Sequence, residues 1–278
     1  MAMPLTIRPL SDAMGGEIAG IDLRNPLDDT TFAAIETALD DHLVIVFRNQ
    51  DLDPPALAAF GQRFGKLRPH ALESYRHKEH EDVSYIRNVD DEGNFDPFGK
   101  IRASTWHADA TYEADLPRAA ILHAKEIPAS GGGTIFANMC AAYDGLPGEK
   151  QDKLADLVAL HGYTTGPAGS YYQGKNDYAD VYPEQRRPSV LPHPRTGRPI
   201  LFVNPMHVHG FEGLEEKDAL AIVEDMASHA EQCRFVYHHH WQVGDVLVWD
   251  EQATMHRGAG DTPEGQRRVL LRTIVYPH

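Results

Sequence analysis

Arg268-Val269-Leu270-Leu271-Arg272-Thr273-Ile274-Val275-Tyr276 is the stretch on which the reading of this chain turns. It is rich in β-branched and aromatic residues and holds no Gly or Pro, so it reads as a strand. Side chains alternate across a strand, so 268, 270, 272 and 274 share one face and 269, 271, 273 and 275 the other. The second face is Val, Leu, Thr and Val, a core-packing surface. The first carries two arginines, about 13 Å apart at ~3.3 Å per residue. Two placements follow. Both arginines face solvent, or both point into the lumen of a β-barrel, where each guanidinium must meet an anion through paired hydrogen bonds.

Four more apolar runs read as strands: His42–Phe47, Ile200–Val203, Arg234–Trp241 and Asp245–Trp249. Helical spacing predicts helices over Asp29–Asp41 (Phe32, Ile35 and Leu39 inward) and from Pro54 to a stop at Gly65 (Leu57, Phe60, Phe64). Two more are expected over Gly148–His161 (Leu154, Leu157, Val158) and Glu215–His229 (Ala219, Ile222, Val223, Met226). Strands dominate the second half and no βαβα alternation is visible. The fold class is therefore mostly β with helical insertions, a sandwich or jelly roll, and not a doubly wound parallel sheet. No repeat or shift in composition marks a boundary, so one domain over 1–278 is expected.

The chain has 278 residues, 42% hydrophobic, with a net charge of −15. Such an acidic surface repels phosphate backbones and anionic lipid, so neither nucleic acid nor membrane is an expected partner. No apolar run approaches the ~20 residues of a membrane span, and Met1–Arg8 lacks a signal-peptide stretch, so a cytoplasmic location is expected. Cys140 and Cys233 give no disulfide framework and read as buried small hydrophobes.

The 16 histidines carry the chemistry. In Trp106-His107-Ala108-Asp109 an extended backbone projects His107 and Asp109 to one side. His256 follows an apolar strand and a short loop. Two His and one carboxylate form a facial triad for Fe(II) that leaves coordination positions open. His-x-Asp alone is weak evidence, because a hydrogen bond satisfies that pair without metal. His238 and His240 share a strand face, but their Tyr237 and Trp241 neighbours suit a half-buried strand better than a second metal site. His209 reads as packing or surface.

His107-x-Asp109, then Gly131-Gly132-Gly133-Thr134-Ile135-Phe136, then Trp249-Asp250 leading to His256, then Arg268, resembles the taurine and phenoxyacetate dioxygenase family. The resemblance runs from Gly16–Leu23 to Arg272. It implies a double-stranded β-helix (a cupin-like jelly roll) and an Fe(II)- and 2-oxoglutarate-dependent oxygenase that consumes O2. His107, Asp109 and His256 match the metal ligands. Thr134 and Arg268 match the residues that bind 2-oxoglutarate. His70, His207 and Arg272 match substrate-contacting positions, and a homo-oligomer is expected. The family's Asp in Gly-Gly-Asp-Thr is Gly133 here, and the Asn after Trp-Asp is Glu251, expected not to touch the metal. A tyrosine expected shortly after His70 is Glu73, with Tyr75 two residues too late, and Ala103 stands where an asparagine is expected. These departures point away from taurine. Ala141–Pro147, Phe235–Trp241 and His207 are similar to the phenoxyacetate branch.

The implied reaction is hydroxylation of a small anionic substrate, an aryloxyalkanoate-like carboxylate with ether cleavage, with release of succinate and CO2. A taurine-like sulfonate or alkyl sulfate is the alternative. A non-catalytic cupin-like metal- or ligand-binding protein is the alternative of another class, and the joint presence of Thr134 and Arg268 favours the enzyme. Asp109 argues against halogenation, and no general base beside the triad suggests a zinc hydrolase. Loops at Ser74–Lys100 and Gly166–Arg187 are expected to line the substrate space. The second, with Tyr171, Tyr172 and Tyr178, is expected to act as a lid or insertion at roughly 166–187.

Overall fold

The computed structural model describes residues 5–70, 73–96, 104–163 and 182–278. The frame is a nine-stranded sheet facing a three-stranded one. The large sheet runs in the order Thr6–Pro9, Gly16–Ala19, Val44–Phe47, Val246–Asp250, Ala119–Glu126, Val269–Tyr276, His80–Arg87 and Arg76–His77, with Lys66–Leu67 also paired to Val269–Tyr276. The small sheet is Val236–His239, Thr134–Asn138 and Thr254–Gly258, antiparallel throughout. Two packed sheets with helices outside make the expected jelly roll.

Period-2 alternation explains why the central strands are apolar on both faces. Val44, Val46, Leu122, Leu247, Trp249 and Leu270 point between the sheets, against Phe136 and Tyr237 of the small sheet and Trp241 beyond it. Their neighbours Ile45, Phe47, Ile121, Val246, Val248, Leu271 and Val275 point outward, into a layer with Phe32, Ile35 and Leu39 of α1 (Asp29–His42) and Leu57 and Phe60 of α2 (Pro54–Gln62). Each such side chain contributes about 1.5–3 kcal/mol by leaving water. The parity of the last strand therefore sends Arg268, Leu270 and Arg272 into the space between the sheets.

Local chemistry sets the helix ends. Asp28 accepts from the Thr31 amide at 2.7 Å and Asp53 from the Ala56 amide at 2.8 Å, the usual way to satisfy first-turn donors. α1 absorbs His42, and Leu43 takes a left-handed φ of 59° before the strand starts at Val44, later than the sequence suggests. At Gly65 a Cβ would stand 2.0 Å from the Tyr276 carbonyl oxygen, so only glycine lets the end of α2 pass the last strand.

Three further expectations are corrected. The helix predicted over Gly148–His161 ends at Ala155, and Val158–His161 is a strand. Gln185–Pro188 pairs with it on one side and Val208–Phe211 on the other, which rewards extended backbone at β-branched Val158 more than another helical turn would. Cys140 is buried, but Cys233 is exposed, because Phe235 takes the inward place in the 3-10 turn Cys233–Phe235. The strand expected from Arg234 accordingly begins at Val236 and spans Val236–His239. Residues 166–181 of the expected lid, with Tyr171, Tyr172 and Tyr178, lie outside the described residues, as does Ala103. No helix among the described residues is long and apolar enough to cross a membrane.

Candidate active site

Backbone pairing brings the histidines together. The His107 amide donates to the His256 carbonyl at 3.1 Å, and the His256 amide returns the bond to the His107 carbonyl at 2.7 Å. This isolated bridge continues the small sheet by one residue pair and sets the two rings side by side, centroids 4.2 Å apart. Asp109 follows two residues later, and one ligand atom from each of His107, Asp109 and His256 lies within 4.8 Å of the others. Among the described residues they form the one such cluster of three or more His, Cys, Asp or Glu side chains.

Hydrogen bonds and burial prepare the two imidazoles. His107 Nδ1 donates to the Thr105 carbonyl at 2.8 Å, which leaves the Nε2 lone pair free, 3.6 Å from Asp109 Oδ1. Burial pulls the His256 imidazole down to about 3, so its ring is neutral at neutral pH. Trp249 and Phe136 pack against that ring and keep water away. Burial raises the cost of charge on Asp109, but the Arg272 guanidinium, joined by the neighbouring His256, His107 and His207, outweighs this and holds the carboxyl well below the usual carboxylate range. Arg272 Nη1 donates to Asp109 Oδ2 at 2.9 Å, so Oδ1 remains for another partner. Arg272 Nε is buried, with no acceptor among the described residues.

Sequence reasoning missed Glu251 as a site residue. It is not one of the three clustered side chains, but its Oε2 accepts from the Asp109 amide at 3.1 Å. Burial, with Asp109 close by, raises its carboxyl well above the ordinary range.

Arg268 and Thr134 form a second group. Arg268 Nε donates to the Gly132 carbonyl at 2.8 Å, and Nη2 to Thr134 Oγ1 at 3.3 Å. Among the described residues no carboxylate forms an ion pair with Arg268. Its crowded surroundings lower the guanidinium to about 10, with Asp261 acting the other way. A guanidinium so placed calls for an anion. A Cβ at Gly133 would stand 2.2 Å from His238 Nε2, so His238 fills the space that the family's Asp would need.

A cavity of about 280 Å³ opens on the Asp109–Arg272 side, lined in part by Arg68, His70, Ser84, Tyr112, Glu113 and Tyr276. His70 stacks on Tyr75, centroids 4.9 Å apart, so the tyrosine that stands two residues late still reaches the histidine. Tyr276 Oη donates to Glu113 Oε2 at 2.8 Å, and Arg68 lies over the Tyr276 ring at 3.8 Å. Tyr276 shares the parity of Arg272, a signal the sequence held. Tyr182, at the end of the expected lid, also lines this cavity. His207 lies one layer back, buried against Tyr112 with centroids 4.9 Å apart, and burial lowers its imidazole to about 3. His209 pairs with Glu184 at 3.0 Å, away from the triad's contacts.

Comparison with known proteins places these features. Residues 6–274 match the family described as taurine catabolism dioxygenase TauD, TfdA family. The alpha-ketoglutarate-dependent 2,4-dichlorophenoxyacetate dioxygenase of Cupriavidus pinatubonensis is 32% identical, over 98% of each chain. The alpha-ketoglutarate-dependent sulfate ester dioxygenase of Pseudomonas putida is also 32% identical, over 97% of this chain and 90% of its own. The fold superposes on AAD-2, solved with Mn(II) and N-oxalylglycine, with a TM-score of 0.87 at 25% identity, covering 99% of this chain and 98% of that one. With whole-length matches in sequence and in fold, the chain belongs to the TauD, TfdA family and is an Fe(II)- and 2-oxoglutarate-dependent dioxygenase.

Proposed function

We propose that His107, Asp109 and His256 hold the ferrous ion, and that Arg268 and Thr134 bind the far carboxylate of 2-oxoglutarate. The observation that carries this reading is the convergence of three ligand atoms within 4.8 Å, two of them on imidazoles joined by a reciprocal backbone bridge. The donor set fits the group: two His and one carboxylate suit Fe(II) and leave positions open. Arg268, a guanidinium with no carboxylate partner among the described residues, fits a dicarboxylate.

When bound, the iron and its cosubstrate supply O2 activation coupled to oxidative decarboxylation, yielding succinate and CO2. The chain supplies placement. Thr105 fixes the His107 tautomer, Glu251 holds the Asp109 backbone, and Trp249 and Phe136 exclude water behind His256. Arg272 and His70 are proposed to face the substrate's anionic group in the cavity. His207 supports the Tyr112 wall of the same pocket.

An aryloxyalkanoate-like carboxylate is the preferred substrate, with hydroxylation next to an ether oxygen and cleavage of the ether. The match to the 2,4-dichlorophenoxyacetate enzyme supports it. The equal identity of the sulfate ester dioxygenase supports an alkyl sulfate or sulfonate as the second reading. A succinate-release screen over aryloxyalkanoates, sulfonates and alkyl sulfates tests the choice. Greatest turnover with an aryloxyalkanoate is expected, and turnover confined to sulfur oxyanions would reverse the order. A free small molecule, with neither nucleic acid nor membrane as partner, suits the charge of −15. Cytoplasmic location and homo-oligomeric assembly complete the proposal, to be checked by cell fractionation and light scattering.

A further inference from the structure

Thr134 Oγ1 receives two donors: the indole Nε1 of Trp241 at 2.9 Å and Nη2 of Arg268 at 3.3 Å. A hydroxyl accepts through two lone pairs and donates through one hydrogen. With both lone pairs engaged, the hydrogen is the group left to find a partner. Among the described residues no acceptor takes it.

Trp241 is itself firmly held. It is buried, and His239 meets its ring edge-on with centroids 4.6 Å apart. His239 is clamped between Tyr237 Oη at 2.9 Å and Asp245 Oδ2 at 3.2 Å. Asp245 also accepts from the Gln242 amide at 2.8 Å and pairs with Arg48. The turn that carries the indole is thus tied into the large sheet by a buried network.

We infer that Trp241 is a positioning residue for 2-oxoglutarate: its N–H fixes the Thr134 hydroxyl so that the hydroxyl donates to the carboxylate held by Arg268. This rests on the cosubstrate seat proposed above. Without the indole N–H, one lone pair is left without a donor and the longer bond from Arg268 alone holds the hydroxyl, which can then turn a lone pair toward the anion and repel it.

The test is binding and not turnover. Affinity for 2-oxoglutarate and for N-oxalylglycine is measured by calorimetry on Mn(II)-loaded protein, for the parent, W241F, T134V, the double variant and R268A. W241F is expected to weaken both ligands by about tenfold, the size of one hydrogen bond to a charged group. In the T134V background W241F should add less than about twofold, because Trp241 acts through the hydroxyl. Mn(II) affinity should stay unchanged. An undiminished effect of W241F in the T134V background would mean that Trp241 acts by packing, and would overturn the inference. An intact affinity in W241F with a loss in R268A overturns the role of Trp241 and leaves the seat standing. Intact affinity in both overturns both. If W241F does not fold, W241L is measured by the same cycle.

Discussion

His107 owes its chemistry to a backbone oxygen. The Thr105 carbonyl holds Nδ1 as the donor, so Nε2 is the nitrogen turned toward Asp109. Replacing His107 or His256 by Ala should abolish iron retention and lower succinate release by at least about a hundredfold, of the order lost when a metal site's own ligands or their supports go. Iron analysis and a succinate assay on either variant with parent-like values would remove the proposed centre. The two arginines should separate. Arg268→Ala is expected to weaken 2-oxoglutarate selectively, and Arg272→Ala to weaken the primary substrate more than 2-oxoglutarate. Equal losses for both ligands in Arg272→Ala would mean that the two roles are misassigned. Arg272 also neutralises Asp109 at 2.9 Å, so some loss of metal affinity should accompany the change. At this scale the sequence was informative about residue types and silent about partners. His107, Asp109 and His256 could be picked out as a triad, but the Arg272–Asp109 pair joins positions far apart in the chain, and no spacing rule reveals it.

Elements position these side chains by their ends and their parity. Gly65 admits the last strand beside α2. Gly65→Ala should cost about 3 kcal/mol, the scale of overpacking against backbone that cannot yield. Asp28→Ala should cost about 1 kcal/mol as a lost helix cap. Denaturant titrations that rank the two in the opposite order would contradict this account of the α2 junction. Strand parity was legible in the sequence: Arg268, Leu270 and Arg272 share one face as alternation demanded, and the structure turns that face inward, with Leu270 between the sheets and Leu271 under the helices. The boundary after Ala155 was not legible. Leu157-Val158-Ala159-Leu160 suits a helix or a strand by composition, and strands at Gln185–Pro188 and Val208–Phe211 decide the matter by supplying its hydrogen-bond partners.

The whole molecule adds a dependence on pH. His161 is fully buried, with Nδ1 against Thr111 Oγ1 at 3.1 Å, and burial lowers its imidazole to about 3, with His207 and Arg187 acting the same way. The unfolded chain binds this proton near pH 6.5, well above the folded pKa. Its contribution to stability is therefore complete above about pH 6.5 and is lost as pH falls toward about 3, by at most ~1.4 kcal/mol per pH unit. Metal-free protein should lose stability between pH 7.5 and 5.5 in denaturant titrations, and His161→Gln should flatten that slope. An unchanged slope in the variant would exclude His161 as a source. Packing at this scale also separates what can be read from one dimension from what needs three. By itself the sequence determined the jelly-roll class, the sharing of one face of the last strand by Arg268 and Arg272, and the residue types His107, Asp109 and His256 as candidate ligands, because side-chain period and ligand chemistry are local properties. Only the tertiary structure decided that Tyr75 stacks on His70, that Glu251 holds the Asp109 amide, that Trp241 reaches Thr134 and that Val158–His161 is a strand. Those contacts join segments whose approach is set by sheet closure, and closure is a property of all the strands together.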